Sequence, residues 1–176
     1  MPTVFSHALA AAALGSAFRR AAWPARVWWL AAACAVLPDA DVVGVYAGVP
    51  LDSLVGHRGL THSLVFAAVI AAALAPLAVP NGRPLLWLYL FLATASHGVL
   101  DAMTDGGIGV AFFAPFDAGR YYLPWRPIAV SPLSIRQFFS AWGAAVLLSE
   151  LVWVWLPCLT FAAIALCLTH PKRRPA

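Results

Sequence analysis

From Phe138 to Leu168 the chain carries a single charged side chain, Glu150, and from Leu64 to Val79 it carries none. A segment that is apolar on every face must be buried in a large protein core or in lipid. A chain of 176 residues cannot supply such a core for several segments at once. The composition agrees: 62% of residues are hydrophobic and 10% charged, where soluble domains average about 45–50% and about 25%. Eleven basic and seven acidic side chains are too few to cover a water-soluble surface, and the mean hydropathy is +0.83. The chain is therefore expected to be an integral membrane protein of the all-α class. The predicted fold is a polytopic bundle of about four or five helices, some of them short. Residues 1–176 read as a single integral membrane domain, with a motif-bearing core over 1–110 and a loop and C-terminal helical segment over 111–176.

The apolar segments differ in length. Val4 to Phe18 would reach only about 23 Å as a helix, against a hydrocarbon core of about 30 Å. It resembles a secretion signal weakly, but Arg19 and Arg20 follow the apolar run where a signal would have them precede it, so the segment is expected to be retained. Val27 to Leu37 should end at Leu37-Pro38-Asp39-Ala40-Asp41, because proline disfavours helical geometry in the residue before it. Residues 42–50 contain Gly44, Gly48 and Pro50 and read as a re-entrant piece or loop. Leu64 to Val79 is bounded by the turn Pro80-Asn81-Gly82. Leu85 to Leu100 follows, with Trp87 and Tyr89 expected as interface anchors. The last segment, Phe138 to Leu168, exceeds one span and should kink at Pro157. Cys34, Cys158 and Cys167 form no CxxC pair and read as small buried hydrophobes.

If the chain alternates across the membrane, His7, Asp39, Asp41, His57, His62, His97 and Asp101 all fall at one end of the bundle. Six of the seven acidic residues lie between Asp39 and Asp117. The opposite end collects Arg19, Arg20, Arg26, Arg83, Lys172, Arg173 and Arg174, and the polar end Arg58, Arg120, Arg126 and Arg136. Seven cations against four orient the polar end away from the cytoplasm. The net charge of +4 is thus accounted for by flanking anchors and lipid headgroups. Nothing resembles a basic and aromatic base-stacking groove, so nucleic acid is not expected as a partner.

Imidazole and carboxylate are the usual ligands of Zn²⁺ and, in other proportions, of Mn²⁺ or Fe²⁺. His97 and Asp101 lie four apart on one helical face; they read either as ligands or as a histidine capped by a carboxylate. An ionisable pair at the end of an apolar helix is costly and usually functional. Asp39 and Asp41 suit a solvated turn, a metal bridge, or the orientation of a ligand histidine through its second nitrogen. In His57-Arg58-Gly59-Leu60-Thr61-His62-Ser63, two histidines bracket an arginine whose fork fits an oxyanion such as phosphate, or a lipid headgroup. Thr61 or Ser63 should cap the following helix. Glu150 needs a Ser, Trp or backbone partner, or else belongs to an ion path. His170, beside Pro171 and Lys172, reads as solvated tail.

The pieces FSHALAAAALG, LPDAD, HRGLTHS and SHGVLDAMTDGG, in that order over residues 1–110, resemble the YdjM-like (LexA-binding) family of bacterial inner-membrane metal-dependent hydrolases. The resemblance implies His7, Asp39, Asp41, His57, His62, His97 and Asp101 as metal-site residues, with Arg58 beside them, in the inner (cell) membrane.

The expected function is a membrane-embedded hydrolase that uses one or two divalent ions, zinc preferred, manganese or iron as alternatives. Its expected substrate is a membrane lipid or lipid-linked phosphoester. His57, His62, His97 and Asp101 would be ligands, and Asp39 and Asp41 bridging or additional ligands. His7 would be a peripheral ligand or acid/base, Asp39 an acid/base group, and Arg58 an anion clamp. The alternatives are a divalent-metal transporter, with ligands near the midplane and a role for Glu150, or a metal that only ties helix ends together.

Overall fold

The computed structural model describes residues 1–18, 23–79 and 83–169. Among these, six helices form an all-α membrane bundle: α1 (Val4–Ser16), α2 (Ala25–Tyr46), α3 (Leu64–Ala78), α4 (Arg83–Ala102), α5 (Ile135–Phe138) and α6 (Ala141–Leu168). This exceeds the expected four or five because a one-turn helix, α5, precedes α6. Three are long and apolar enough to cross a membrane: Ala25–Tyr46, Pro84–Ala102 and Ala141–Leu168. Val4–Ser16 and Leu64–Ala78 are shorter. The turn Pro80-Asn81-Gly82, His170 and five of the cations used for orientation (Arg19, Arg20, Lys172, Arg173, Arg174) lie outside the described residues.

Pro38 does not end α2. It opens a 3-10 turn, Leu37–Asp41, after which Val42–Tyr46 returns to α geometry. Proline is tolerated in the first turn of a helical segment, where its missing N–H has no partner to lose. The expected loop over 42–50 is therefore helical as far as Tyr46, and the chain turns at Gly48, whose φ is +88°.

α4 is the central element and packs against α1, α2 and α3. The core between them is built from Ala11, Ala31, Ala35, Ala71, Ala75 and Ala93, with Leu86 and Leu90. Small side chains let helices approach closely where no hydrophobic effect drives them together. Tyr89 is fully buried; Phe18 and Trp23 pack against its ring and its hydroxyl donates to Ala11 O at 3.0 Å. At this end Arg26 also donates to Ala78 O, which places the α2 start beside the α3 end.

Among the described residues, the main helix that α6 packs along is α1. Only 6% of its most apolar window is buried, against 50% for α4, so most of its surface requires lipid. It widens to a π turn at Leu151–Trp155, with Leu156 N–H bonded to Leu151 O, just before Pro157. The wider turn makes room for a ring that would otherwise clash with the preceding turn.

Two irregular segments, 47–63 and 103–134, cover the end where α1 starts and α4 finishes. Ala111 N–H donates to Arg58 O and Leu64 N–H to Phe112 O. Isolated bridges pair Thr104 with Ile128 and Val110 with Tyr121. Arg120 clamps the first segment by donating to the carbonyls of His57, Leu51 and Ser53. Ser63, and not Thr61, caps α3 by accepting the Phe66 N–H. Cys34 is buried, Cys158 partly so, and Cys167 exposed on α6.

Candidate metal centre

Asp39, His62, His97 and Asp101 offer ligand atoms that all lie within 4.8 Å of one another, and all four residues are buried. They come from the 3-10 turn of α2, the loop before α3, and the last two turns of α4. His97 Nε2 stands 3.1 Å from His62 Nε2 and 3.2 Å from Asp39 Oδ1. His62 Nε2 is 3.6 Å from Asp101 Oδ2 and 3.8 Å from Asp39 Oδ1.

The hydrogen bonds on the far side of each ring decide what these atoms can do. His97 Nδ1 lies 2.7 Å from Ala35 O, a pure acceptor, so Nδ1 carries the proton and Nε2 is left with a lone pair. His62 Nδ1 faces Asp41 Oδ2 at 3.2 Å and Thr61 Oγ1 at 3.0 Å, which holds its proton on that side as well. In the neutral rings two lone pairs then meet at 3.1 Å. Such an approach needs a cation between them. Two ligand atoms that each sit about 2 Å from one ion stand about 3 Å apart, so the spacing fits a metal. Both oxygens of Asp39 and of Asp101 are buried without a hydrogen-bond donor, and so are both nitrogens of His7. Buried carboxylates left this way are expensive unless a cation joins them. Burial alone would depress the His62 imidazole, but Asp101, Asp39 and Asp41 outweigh it and push its pKa up to about 10.

Asp41 is differently placed. Its Oδ1 lies 2.7 Å from His57 Nδ1, and its Oδ2 accepts from Thr61 Oγ1 at 2.6 Å and Arg58 N–H at 3.2 Å. Asp41, His57 and His62 form a second group with ligand spacing, sharing His62 with the first. His7 stacks on His97, ring centroids 3.7 Å apart and 13° from parallel, with its Nε2 3.7 Å from Asp101 Oδ1.

Arg58 is almost fully buried beneath the cluster. Its Nε approaches Asp101 Oδ2 to 2.9 Å as an ion pair, outside hydrogen-bond alignment, while its other nitrogens donate to Gly106 O and Thr104 Oγ1. Its φ of +65° is left-handed, a geometry that costs an L-residue about 1–2 kcal/mol. Asp41, which accepts its N–H, Ala111, whose N–H donates to its carbonyl, and the buried guanidinium hold it there. Gly107 makes room for it: at a φ of +90° it has no side chain, and a Cβ there would collide with the guanidinium.

The structure thus gathers His7, Asp39, Asp41, His57, Arg58, His62, His97 and Asp101 at one end of the bundle. Thr61, Thr104, Gly107 and Arg120 are additional contributors. Thr61 had a signal, since it sits between two candidate ligands. Thr104 and Arg120 act largely through backbone carbonyls, which leave no mark in the residue types.

The fold and this cluster define a polytopic membrane protein built around a buried His–Asp group able to hold a metal ion. The family described as YdjM inner membrane protein matches residues 1–173. Inner membrane protein YbcI of Escherichia coli (strain K12) is 38% identical over 164 residues, covering 89% of this chain and 92% of its own length. The chain belongs to the YdjM inner-membrane protein family and is a multi-pass protein of the bacterial inner membrane. No solved structure matches it.

Proposed function

We infer that the protein is a metal-dependent hydrolase of a membrane lipid or lipid-linked phosphoester. The observation that carries this reading is the pair of inward-facing Nε2 atoms set among four buried carboxylate oxygens that accept no aligned hydrogen bond, one of them ion-paired to Arg58. Asp39, His62, His97 and Asp101 would hold the ion, and a two-nitrogen, two-carboxylate set favours zinc, with manganese or iron as alternatives. A second ion would draw on Asp41, His57 and His62. A divalent ion in such a set supplies Lewis acidity, which acidifies water and stabilises charge developing on a phosphoryl group. His7, with both nitrogens unpartnered, would accept a proton from water at Nε2 or return one to the leaving oxygen.

A small cavity of about 110 Å³ borders His57 and Arg58 and is walled by Gly107, Ser131 and Leu133. Ser131 and Leu133 are shared with a larger apolar cleft of about 360 Å³ between Phe5 and Ile135, Phe138 and Phe139. Phe5, Ile135 and Phe139 expose most of their surface. This continuity supports a substrate whose headgroup reaches Arg58 while its hydrocarbon chain stays in the cleft. The count of flanking cations in the sequence supports an opening on the non-cytoplasmic face. A transporter is less well supported, because the cluster lies at the covered end of the bundle rather than between its halves.

The test is the metal content of detergent-purified protein beside His97→Ala and Asp101→Ala variants. Wild type should carry stoichiometric metal and the variants little; unchanged stoichiometry rejects the site. Phospholipid and generic phosphoester turnover, run beside metal flux in proteoliposomes, separates the chemistry. Flux without hydrolysis would favour the transporter.

A further inference from the structure

Glu150 lies in α6, is fully buried, and does not belong to the metal cluster. Its Oε1 accepts the Thr3 N–H at 2.5 Å; its Oε2 accepts the hydroxyls of Thr3 and Ser6, each at 2.6 Å. Ser6 Oγ in turn accepts the indole N–H of Trp155 at 2.7 Å. The π turn begins at the residue after Glu150. A π turn takes about five residues where an α turn takes fewer, so Glu150 and Trp155 come onto nearly the same face of α6 and both reach Ser6. The first turn of α1 has no side-chain cap of its own. Glu150 supplies one from a neighbouring helix, as a carboxylate at a helix N-terminus can.

Thr3 and Ser6 are three apart on one face of α1, and Ser6 is followed by His7, the ring that stacks on His97. We propose that Glu150 is a positioning residue of the metal centre: by gripping Thr3 and Ser6 it fixes the height and rotation of α1 and so aims His7 at the cluster. The proposal rests on the reading that the cluster binds a metal. A carboxylate is the group suited to the task, because three donors converge on its two oxygens.

The experiment loads Co²⁺ into the full chain in detergent and records its affinity and absorption spectrum. Wild type is compared with His7→Ala, Glu150→Gln, Ser6→Ala, the double variant His7→Ala/Glu150→Gln, and Tyr89→Phe. Glutamine removes the Oε2 acceptor; Ser6→Ala is the milder change should Glu150→Gln fail to fold. Glu150→Gln should weaken Co²⁺ about tenfold, as loss of an orienting partner does, and shift the spectrum as His7→Ala does. The double variant should match His7→Ala alone, since both act through one ring. Tyr89→Phe removes a different tether of α1, to Ala11 O, and should leave the spectrum unchanged. A spectrum unmoved by Glu150→Gln and Ser6→Ala, or additive effects in the double variant, overturns the proposal. So does an unaltered His7→Ala, while leaving the metal reading intact. Wild type that takes up no Co²⁺ removes the metal reading itself.

Discussion

Asp39 and Asp41 occupy the same 3-10 turn, two residues apart, yet they belong to different layers of the site. Asp41 faces the loop over residues 57–62 and is met there by His57, Arg58 N–H, Thr61 and His62. Asp39 faces α4, where neither oxygen finds a donor and the nearest groups are the Nε2 atoms of His97 and His62. Asp101 and His7 share that inner layer: His7 has no hydrogen-bond partner, and Asp101 accepts no aligned hydrogen bond and meets Arg58 as an ion pair. A buried polar group with a full set of partners contributes to a unique structure; one without them costs stability that only a ligand can repay. The difference assigns the outer layer to the scaffold and the inner layer to the ion.

Asp39→Asn attacks the contrast most directly. Metal affinity should fall by more than the 10–100-fold typical of an orienting partner, because a ligand charge is lost. The metal-free variant should nevertheless unfold at a higher temperature than metal-free wild type. Its amide can donate to His97 Nε2, which removes a buried unpaired group worth about 1–3 kcal/mol. Thermal unfolding in detergent with and without chelator reads both effects. An apo protein destabilised by this change would show that Asp39 belongs to the scaffold after all. Asp41→Asn should do the reverse. Metal affinity drops about 10–100-fold, and amide exchange in residues 51–63 rises even without metal, because the loop loses its shared acceptor.

Gly107→Ala tests the floor beneath both layers. Alanine at a φ of +90° is strained, and its Cβ would displace the Arg58 guanidinium. The expected cost is about 1–3 kcal/mol, read as a lowered unfolding temperature, with a weaker metal site because Asp101 loses its ion pair. An unchanged melt would mean that Arg58 can relocate and does not support Asp101.

The convergence of the inner layer could be read from the chain, because histidine and aspartate are conspicuous in an apolar sequence and helix alternation brings them to one end. Their division into two layers could not. Asp39 and Asp41 are the same residue type in the same turn, and only the rotation of that turn decides which meets donors. Pro38 was equally ambiguous: the same residue ends a helix or opens a 3-10 turn, and here it opens one, with α geometry resuming at Val42–Tyr46. Arg58 was visible as a cation, whereas its left-handed backbone was not, since the neighbouring Gly59 is the more obvious residue for a tight path. Glu150 announced only that it needed partners. Thr3 and Ser6 lie some 145 residues away in the chain, and their role depends on α6 packing beside α1.

Thr61→Val sets the finest limit on the comparison. The Thr61 hydroxyl donates to Asp41 Oδ2 and stands 3.0 Å from His62 Nδ1, so it links the carboxylate to the ring it orients. Valine keeps the shape and removes only the oxygen. The net loss should be about 1 kcal/mol in stability, as for one hydrogen bond. Metal affinity should fall a few-fold, much less than in Asp41→Asn, because Asp41 still faces His62 directly at 3.2 Å. The measurement is a competitive metal titration on the two variants side by side. If Thr61→Val leaves affinity untouched while Asp41→Asn lowers it strongly, Asp41 acts on the ion through its charge. Partner count would then no longer separate the layers. A graded response instead means that the outer layer works by holding the His62 ring in place.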